Sequence, residues 1–218
     1  MVDSYRTEEE QIAAIKDWWK RNGNAILIGV GLALLIIFGW QYWQKRQANE
    51  AAAAANSFQE LVQVMNNQDA EKRDASVAYI ADQLRKEHGS SPYAIFASLL
   101  QAKTLVEEGK PGDAIPQLEW ALEHAGASPM PLVVREQLAR AQFANGDSEA
   151  ALATLSAAND AGAYTALYKE LEGDVLKAQG DLDGARAAYK AAQEAGNSDT
   201  PNRILELKMA DLATAEAS

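Results

Sequence analysis

A long uncharged and mostly apolar stretch, AILIGVGLALLIIFGWQYW, runs from Ala25 to Trp43. As an α-helix at about 1.5 Å per residue it would span roughly 28 Å, which is close to the hydrocarbon thickness of a bilayer. Three aromatic residues cluster at its C-terminal end, and Lys45 and Arg46 follow directly, which is typical of a membrane interface. The pattern predicts a single transmembrane helix over residues 24–43.

Two other interpretations of this stretch stay open. A buried helix of a soluble protein rarely runs so far without a polar position. The hydrophobic core of a cleaved signal peptide has about 7 to 15 residues, although Ala51–Ala55 offers small residues for a cleavage site. The length of the stretch and its aromatic end favour an uncleaved anchor.

Small residues recur at every fourth position inside the predicted span, at Ala25, Gly29 and Ala33. This small-xxx-small spacing allows a second helix to approach closely in the membrane. We expect these three residues to form a transmembrane packing face.

Residues 1–23 precede the span and carry an amphipathic pattern. Ile12, Ile15, Trp18 and Trp19 recur at helical spacing between charged residues, which indicates a helix in the interfacial headgroup region of the lipid bilayer. A docking segment for a cytosolic protein is the alternative. The basic residues before the span slightly outnumber those close after it, which favours a cytoplasmic N-terminus.

Residues 44–90 continue the helical pattern beyond the span. An apolar face of Phe58, Leu61, Val62 and Met65 is followed by a second predicted helix from Ala70 to His88. These two segments predict a helical hairpin that leads into the rest of the domain.

Residues 91–218 contain an internal repeat. The copies GKPGDAIPQLEWA, GDSEAALATLSAA and GDLDGARAAYKAA begin at Gly109, Gly146 and Gly180. Each copy has Ala at its sixth and thirteenth positions and Leu or Tyr at its tenth. The residues that fill these positions are Ala114, Leu118, Ala121, Ala151, Leu155, Ala158, Ala185, Tyr189 and Ala192.

Helix boundaries around the repeats carry their own signals. Ser91-Pro92, Ser128-Pro129 and Thr200-Pro201 each offer an N-cap followed by a proline at the first helical position. The last pair opens a terminal helix whose apolar face contains Leu205, Met209 and Leu212, suited to cap a stack of repeats.

Charge and composition exclude several classes of function. The formal net charge is −11, and 26 acidic against 16 basic residues follow the span, so nucleic acid is not an expected partner. The chain has no cysteine, which excludes disulfides and thiolate chemistry. His88 and His124 each precede a helix end, where a cation interacts favourably with the helix dipole. Known catalytic motifs are absent, so we predict neither an enzyme nor a cofactor or metal site.

The repeat resembles the tetratricopeptide repeat. In that family a glycine ends helix A, and small residues let helix B pack closely on it; Ala102, Ala139 and Gly173 stand where helix A requires a small residue. The resemblance implies that helix-A positions line a concave surface, here a mixture of apolar and charged residues that includes Glu136, Glu170, Asp174 and Lys177. The candidate protein-binding groove consists of Phe96, Leu99, Lys103, Val106, Val133, Arg140, Phe143 and Leu167.

Taken whole, the order of parts is similar to that of the YfgM family, the ancillary subunits of the bacterial Sec translocon. TEEEQIAAIKDWWKRNG, IGVGLALLIIFGWQYWQKRQ and SDTPNRILELKMADL carry the resemblance. It implies an all-α protein of the bacterial inner membrane: a single-pass type II protein with one transmembrane helix, a cytoplasmic N-terminus and a tetratricopeptide-like solenoid in the periplasm.

The same resemblance implies the partners. These would be the SecYEG translocon, a membrane-anchored periplasmic prolyl-isomerase-like chaperone and newly translocated proteins, which an adaptor or chaperone of this kind would pass on. Two alternatives remain: a structural scaffold for another envelope complex, and a cytosolic tail that restrains a stress response regulator.

Overall fold

The computed structural model describes residues 8–66, 70–126, 129–158, 160–196 and 202–215. Within this part of the chain all regular structure is helical, which confirms the predicted all-α class. The chain divides into two compact units, Met1–Ala52 and Ala53–Ser218; we call the second the repeat domain. The helices are α1 (Glu8–Met65), α2 (Ala70–His88), α3 (Pro92–Glu107), α4 (Pro111–His124), α5 (Met130–Ala144), α6 (Ser148–Ser156), α7 (Thr165–Ala178), α8 (Leu182–Ala195) and α9 (Arg203–Ala215).

The first unit contains the larger part of α1, the one described helix that is long and apolar enough to cross a membrane. Its large apolar side chains point outward without cover from the chain, as Leu35 and Ile36 do at 70% and 72% exposure. Exposure of such an apolar surface to water is unfavourable, whereas the hydrocarbon of a bilayer solvates it. The structure therefore has a single candidate transmembrane helix near the N-terminus, as the sequence predicts.

The last turns of α1 belong to the repeat domain and pack with α2 and α3. Ala54 and Leu61 of α1 are fully buried in one cluster with Ala81 and Leu84 of α2 and residues of α3. One detail of the prediction is wrong: Val62 is exposed, and Val64 packs against the cluster instead.

Each predicted repeat glycine ends a helix A in the same geometry. Gly109, Gly146 and Gly180 have φ of +75°, +88° and +84°, a region that L side chains rarely adopt. At the first of them, the Gly109 N–H donates to the Val106 carbonyl at 3.0 Å and the Lys110 N–H donates to Leu105 at 2.8 Å. This pair of bonds is the Schellman motif, and the two later repeats reproduce it.

The small residues predicted for helix A are all buried. Gly173 of α7 lies so close to α8 that an added Cβ would overlap the ring of Tyr189. The bulky tenth position of the third repeat thus fits only because its partner in α7 has no side chain.

Two boundary predictions differ from the structure, and others cannot be compared with it. Pro129 occupies the N-cap of α5 rather than its first turn, because the helix begins at Met130. Helix α6 ends at Ser156, so Ala158 lies beyond it. The Ser91 cap is confirmed, because its hydroxyl accepts the Tyr93 N–H at 3.3 Å. The predicted caps at Ser128 and Thr200-Pro201 lie outside the described residues.

The C-terminal helix α9 packs on α8, as predicted for a capping helix. Leu205 and Leu212 are buried in one cluster with Tyr189, and Met209 packs against that cluster. The apolar face of the last repeat is therefore covered by the chain itself.

Candidate functional site

The helix-A face of the first repeat is open. Phe96 and Val106 of α3 are each 39% exposed, and the Lys103 side chain between them is 62% exposed. Lys103 lies 3.7 Å from Glu107, an exposed ion pair that constrains it little. Leu99 differs from its neighbours because it packs against two core clusters below.

Phe96 adjoins a small aromatic group. Its ring centroid lies 6.1 Å from that of Phe58 in the last turns of α1, and Phe58 lies 5.5 Å from Tyr93. These tilted contacts hold Phe96 in place while leaving part of its ring accessible. The result is a firm apolar surface at the start of α3.

The helix-A face of the second repeat is less open. Phe143 packs against the cluster formed by α5, α6 and α7, and Val133 is half-buried. Glu136 is buried but accepts hydrogen bonds from exposed Arg140 and from Gln137, the latter at 2.6 Å. Arg140 therefore lies on the predicted face, with its charge already paired.

The helix-A face of the third repeat is largely taken by α9. Lys208 of α9 donates to Glu170 and to Asp174, each at 2.7 Å. Lys177 forms an ion pair with Asp211 of α9. Of the predicted third-repeat groove, Leu167 stays accessible, at 44% exposure.

The contact between α7, α8 and α9 is also electrostatically distinct. The Tyr189 hydroxyl donates to Asp174 at 2.8 Å, and burial together with this hydrogen bond raises the tyrosine pKa above its ordinary value. Burial alone would lower the pKa of Lys208, but its hydrogen bonds to Asp174 and Glu170 outweigh burial and raise it. This network fixes α9 onto α7 at the end of the repeats.

Arg85 of α2 is a connecting residue that the sequence pattern did not reveal. Its guanidinium donates to Gln101 of α3 at 2.7 Å and lies 5.9 Å from the ring centroid of Trp120 in α4. Trp120 in turn stacks on His124 at 4.2 Å. His124 lies in the last turn of α4, as predicted, within this structural arrangement.

The predicted transmembrane packing face is exposed along its length. Ala25, Gly29 and Ala33 have no cover from the chain, and a Cβ added at Gly29 would meet no atom within 4 Å. A partner helix could approach closely at these three positions, because their own side chains are a single hydrogen atom or a methyl group.

The predicted groove thus divides into three parts with different availability. The α3 face is open and combines apolar surface with a basic residue, the α5 face is partly filled, and the α7 face is mostly held by α9. An open apolar surface beside an exposed ion pair has the composition of a site for a short segment of another protein. The described residues contain no group of three or more potential metal-binding side chains.

Comparison with known proteins gives consistent matches over most of the chain. Residues 16–214 match the model of the tetratricopeptide repeat-like domain. An "Ancillary SecYEG translocon subunit" of Haemophilus influenzae is 31% identical over 210 residues, covering 96% of this chain and 100% of the relative. Proteins of the same name from Escherichia coli K12, 26% identical, and Aggregatibacter actinomycetemcomitans, 31% identical, cover 97% and 88% of this chain and 100% and 91% of their own. The chain contains a tetratricopeptide repeat-like domain and belongs to the family of ancillary SecYEG translocon subunits.

Proposed function

We propose that this protein is an inner-membrane adaptor of the SecYEG translocon. In this proposal the N-terminus is cytoplasmic, α1 crosses the bilayer, and the repeat domain stands in the periplasm. There it receives newly translocated segments, or a membrane-anchored prolyl-isomerase-like chaperone, on the helix-A face of α3. The observation that carries the proposal is the full-length similarity to relatives named as translocon subunits.

The structure supports the two contacts that such an adaptor needs. The small-residue face at Ala25, Gly29 and Ala33 is free to pack against a translocon helix. The surface around Phe96 and Val106 offers apolar area to an extended or helical segment. Neither contact requires a catalytic group.

Tethering makes a weak surface sufficient. A binding surface linked to the place where its ligand emerges acts at an effective concentration on the order of millimolar. An open face with few apolar residues is suited to such transient contacts, because rapid release lets a segment continue its folding.

The translocon contact is tested by comparing Gly29→Leu with Gly31→Leu. The two substitutions are chemically identical, and a Cβ at either position meets no atom within 4 Å. The two positions lie about 200° apart around the helix, so only Gly29→Leu places its bulk on the proposed face. Copurification with SecYEG in mild detergent should fall for Gly29→Leu, with or without Ala33→Leu, and persist for Gly31→Leu.

The client contact is tested by site-specific photocrosslinking in intact cells. A crosslinker at Lys103, about two helical turns from Phe96 on the same face of α3, should capture translocated chains or the chaperone. Phe96→Ala should reduce that capture. Tyr79→Ala is the matched control, because Tyr79 is an exposed aromatic residue of α2 outside the groove. Copurification of another envelope complex without SecYEG would replace the proposal with the scaffold function.

A further inference from the structure

A second surface of the repeat domain lies between α6 and α7. It is a cleft of about 740 Å³ lined by both helices and by the segment that joins them. A volume of this size is within the range of small-ligand and short-peptide sites, about 300 to 1,000 Å³.

Helix α6, which lines one side of the cleft, is short. Helix B of the first and third repeats has 14 residues, whereas α6 has 9. The chain leaves the helix after Ser156 and reaches α7 through a 3₁₀ turn at Gly162–Tyr164. Ala158, Asp160 and Ala161, which follow the end of α6, line part of the cleft.

The floor of the cleft is apolar and held in position. Leu155 and Tyr168 are nearly buried and form the floor together with Leu152 and Leu176. The Tyr168 hydroxyl donates to the Leu132 carbonyl at 2.8 Å, which fixes the ring. An apolar side chain entering the cleft would therefore meet a preformed surface.

The rim of the cleft is acidic. Glu149, Asp160 and Glu172 line it against a single basic residue, Lys169, which is 2.6 Å from Glu172 and so already neutralised. Glu149 has no basic partner among the described residues. The rim thus has unbalanced negative charge above an apolar floor.

The cleft is separate from the predicted groove. Glu172 and Leu176 lie in the cleft, whereas Glu170 and Asp174 lie on the helix-A face. Residues two apart in an α-helix point in nearly opposite directions, about 200° apart. A ligand in the cleft would therefore contact the side of α7 that faces away from the groove.

We propose that this cleft binds a short segment of a partner protein that combines apolar side chains with lysine or arginine. The apolar side chains would rest on Leu152, Leu155 and Tyr168, and the cation would lie beside Glu149 and Asp160. Charge complementarity selects such a segment over an acidic one. The inference does not depend on association with a translocon.

The test measures peptide binding to the full chain in nanodiscs of zwitterionic lipid. The probe is a fluorescein-labelled peptide of alternating leucine and lysine, and its partner has glutamate in place of lysine; fluorescence anisotropy reports affinity, with empty nanodiscs as the blank. We expect the lysine peptide to bind more tightly than the glutamate peptide. Its affinity should fall when salt is added.

Two variant pairs locate the site. Ala153→Trp places bulk in the cleft, and Ala187→Trp makes the same change at the equivalent exposed position of the third repeat. Glu149→Lys reverses a charge on the rim of the cleft. Its control, Glu119→Lys, makes the same charge reversal at an exposed position of α4, away from the cleft. Ala153→Trp should lower the affinity for the lysine peptide by about tenfold or more. Glu149→Lys should lower it by about two- to fivefold. Each control should bind as the unmodified protein does.

Three results would overturn the inference. One is equal affinity for the two peptides, and another is equal binding by Ala153→Trp and Ala187→Trp. The third is loss of binding in Phe96→Ala with full binding in Ala153→Trp, which would assign the peptide to the α3 face and leave the proposed function intact.

Discussion

The contact between Gly173 and Tyr189 provides the sharpest test of the repeat architecture. A Cβ at Gly173 would overlap two carbons of the Tyr189 ring. That ring is 1% exposed, and its hydroxyl is bonded to Asp174, so it has little room to move. Gly173→Ala adds one methyl group and should still destabilise the repeat domain.

The magnitude follows from three opposing effects. Overpacking a well-packed core costs about 1 to 3 kcal/mol. Alanine is favoured over glycine inside a helix by about 1 kcal/mol, which offsets part of that cost. If Tyr189 shifts and loses its bond to Asp174, about 1 kcal/mol is added. Together these effects span about 0 to 3 kcal/mol, depending on whether the bond to Asp174 survives, and the middle of that range gives an expected net loss of about 1 to 2 kcal/mol for Gly173→Ala.

The matched background is Tyr189→Leu, which removes the ring from the contact. There Gly173→Ala should no longer clash, and helix propensity should make it neutral or stabilising by up to about 1 kcal/mol. Its effect should therefore differ between the two backgrounds by about 2 kcal/mol, which a double-mutant cycle measures directly.

The assay is thermal unfolding of the full chain in detergent, followed by circular dichroism. For a domain of this size, 1 kcal/mol corresponds to about 2 to 4 °C in Tm. Gly173→Ala should lower Tm by about 2 to 8 °C in the natural background and not with Tyr189→Leu. An equal shift in both backgrounds would show that α7 and α8 do not meet at these residues.

Two further predictions concern the terminal network and the orientation. The pKa values of Lys208 and Tyr189 are raised above their ordinary 10.5 and 10.0, so the stability that they contribute is present at neutral pH and is lost as pH rises above about 10. The denaturant concentration at the midpoint of unfolding should be lower at pH 11 than at pH 9, and the decrease should be smaller in Lys208→Met. An unchanged midpoint would show that the network does not stabilise the fold. Because the chain has no cysteine, Glu10→Cys and Ala187→Cys can be labelled separately in intact spheroplasts with an impermeant maleimide. Labelling should occur at residue 187 and be absent at residue 10 until lysis; the reverse result would invert the proposed topology.

The local features of the fold were predictable because they depend on neighbouring residues. The end of helix A requires a residue with positive φ, which favours glycine. Gly109, Gly146 and Gly180 fill this position in the three repeats. The alanines at the repeat positions of helix B are buried, as Ala114 and Ala151 show, except Ala158, which follows the end of α6 and is half-buried. Short-range geometry of this kind leaves a periodic signal in the sequence.

The state of the groove was not predictable, because it depends on residues far apart in the chain. Lys208 reaches Glu170 and Asp174 across 38 and 34 positions, and no periodic pattern indicates that α9 covers the third helix-A face. The early end of α6 was not predictable for a different reason. The repeat motif continues through Ala158 although the helix stops at Ser156, so the pattern predicts a longer helix than the structure has.

The two open surfaces of the repeat domain differ in charge, and this difference has a functional consequence. The α3 face presents the exposed Lys103–Glu107 ion pair beside Phe96 and Val106, so its charge is balanced, whereas the cleft between α6 and α7 presents Glu149 and other carboxylates around an apolar floor. Since both surfaces offer apolar area, hydrophobic burial alone would not separate their ligands. Under the proposal, charge separates the ligands, because the carboxylates of the cleft would repel an acidic segment and retain a basic one. If the α3 face and the cleft bind as proposed, the protein could hold a client segment and a fixed partner at once, without competition between them.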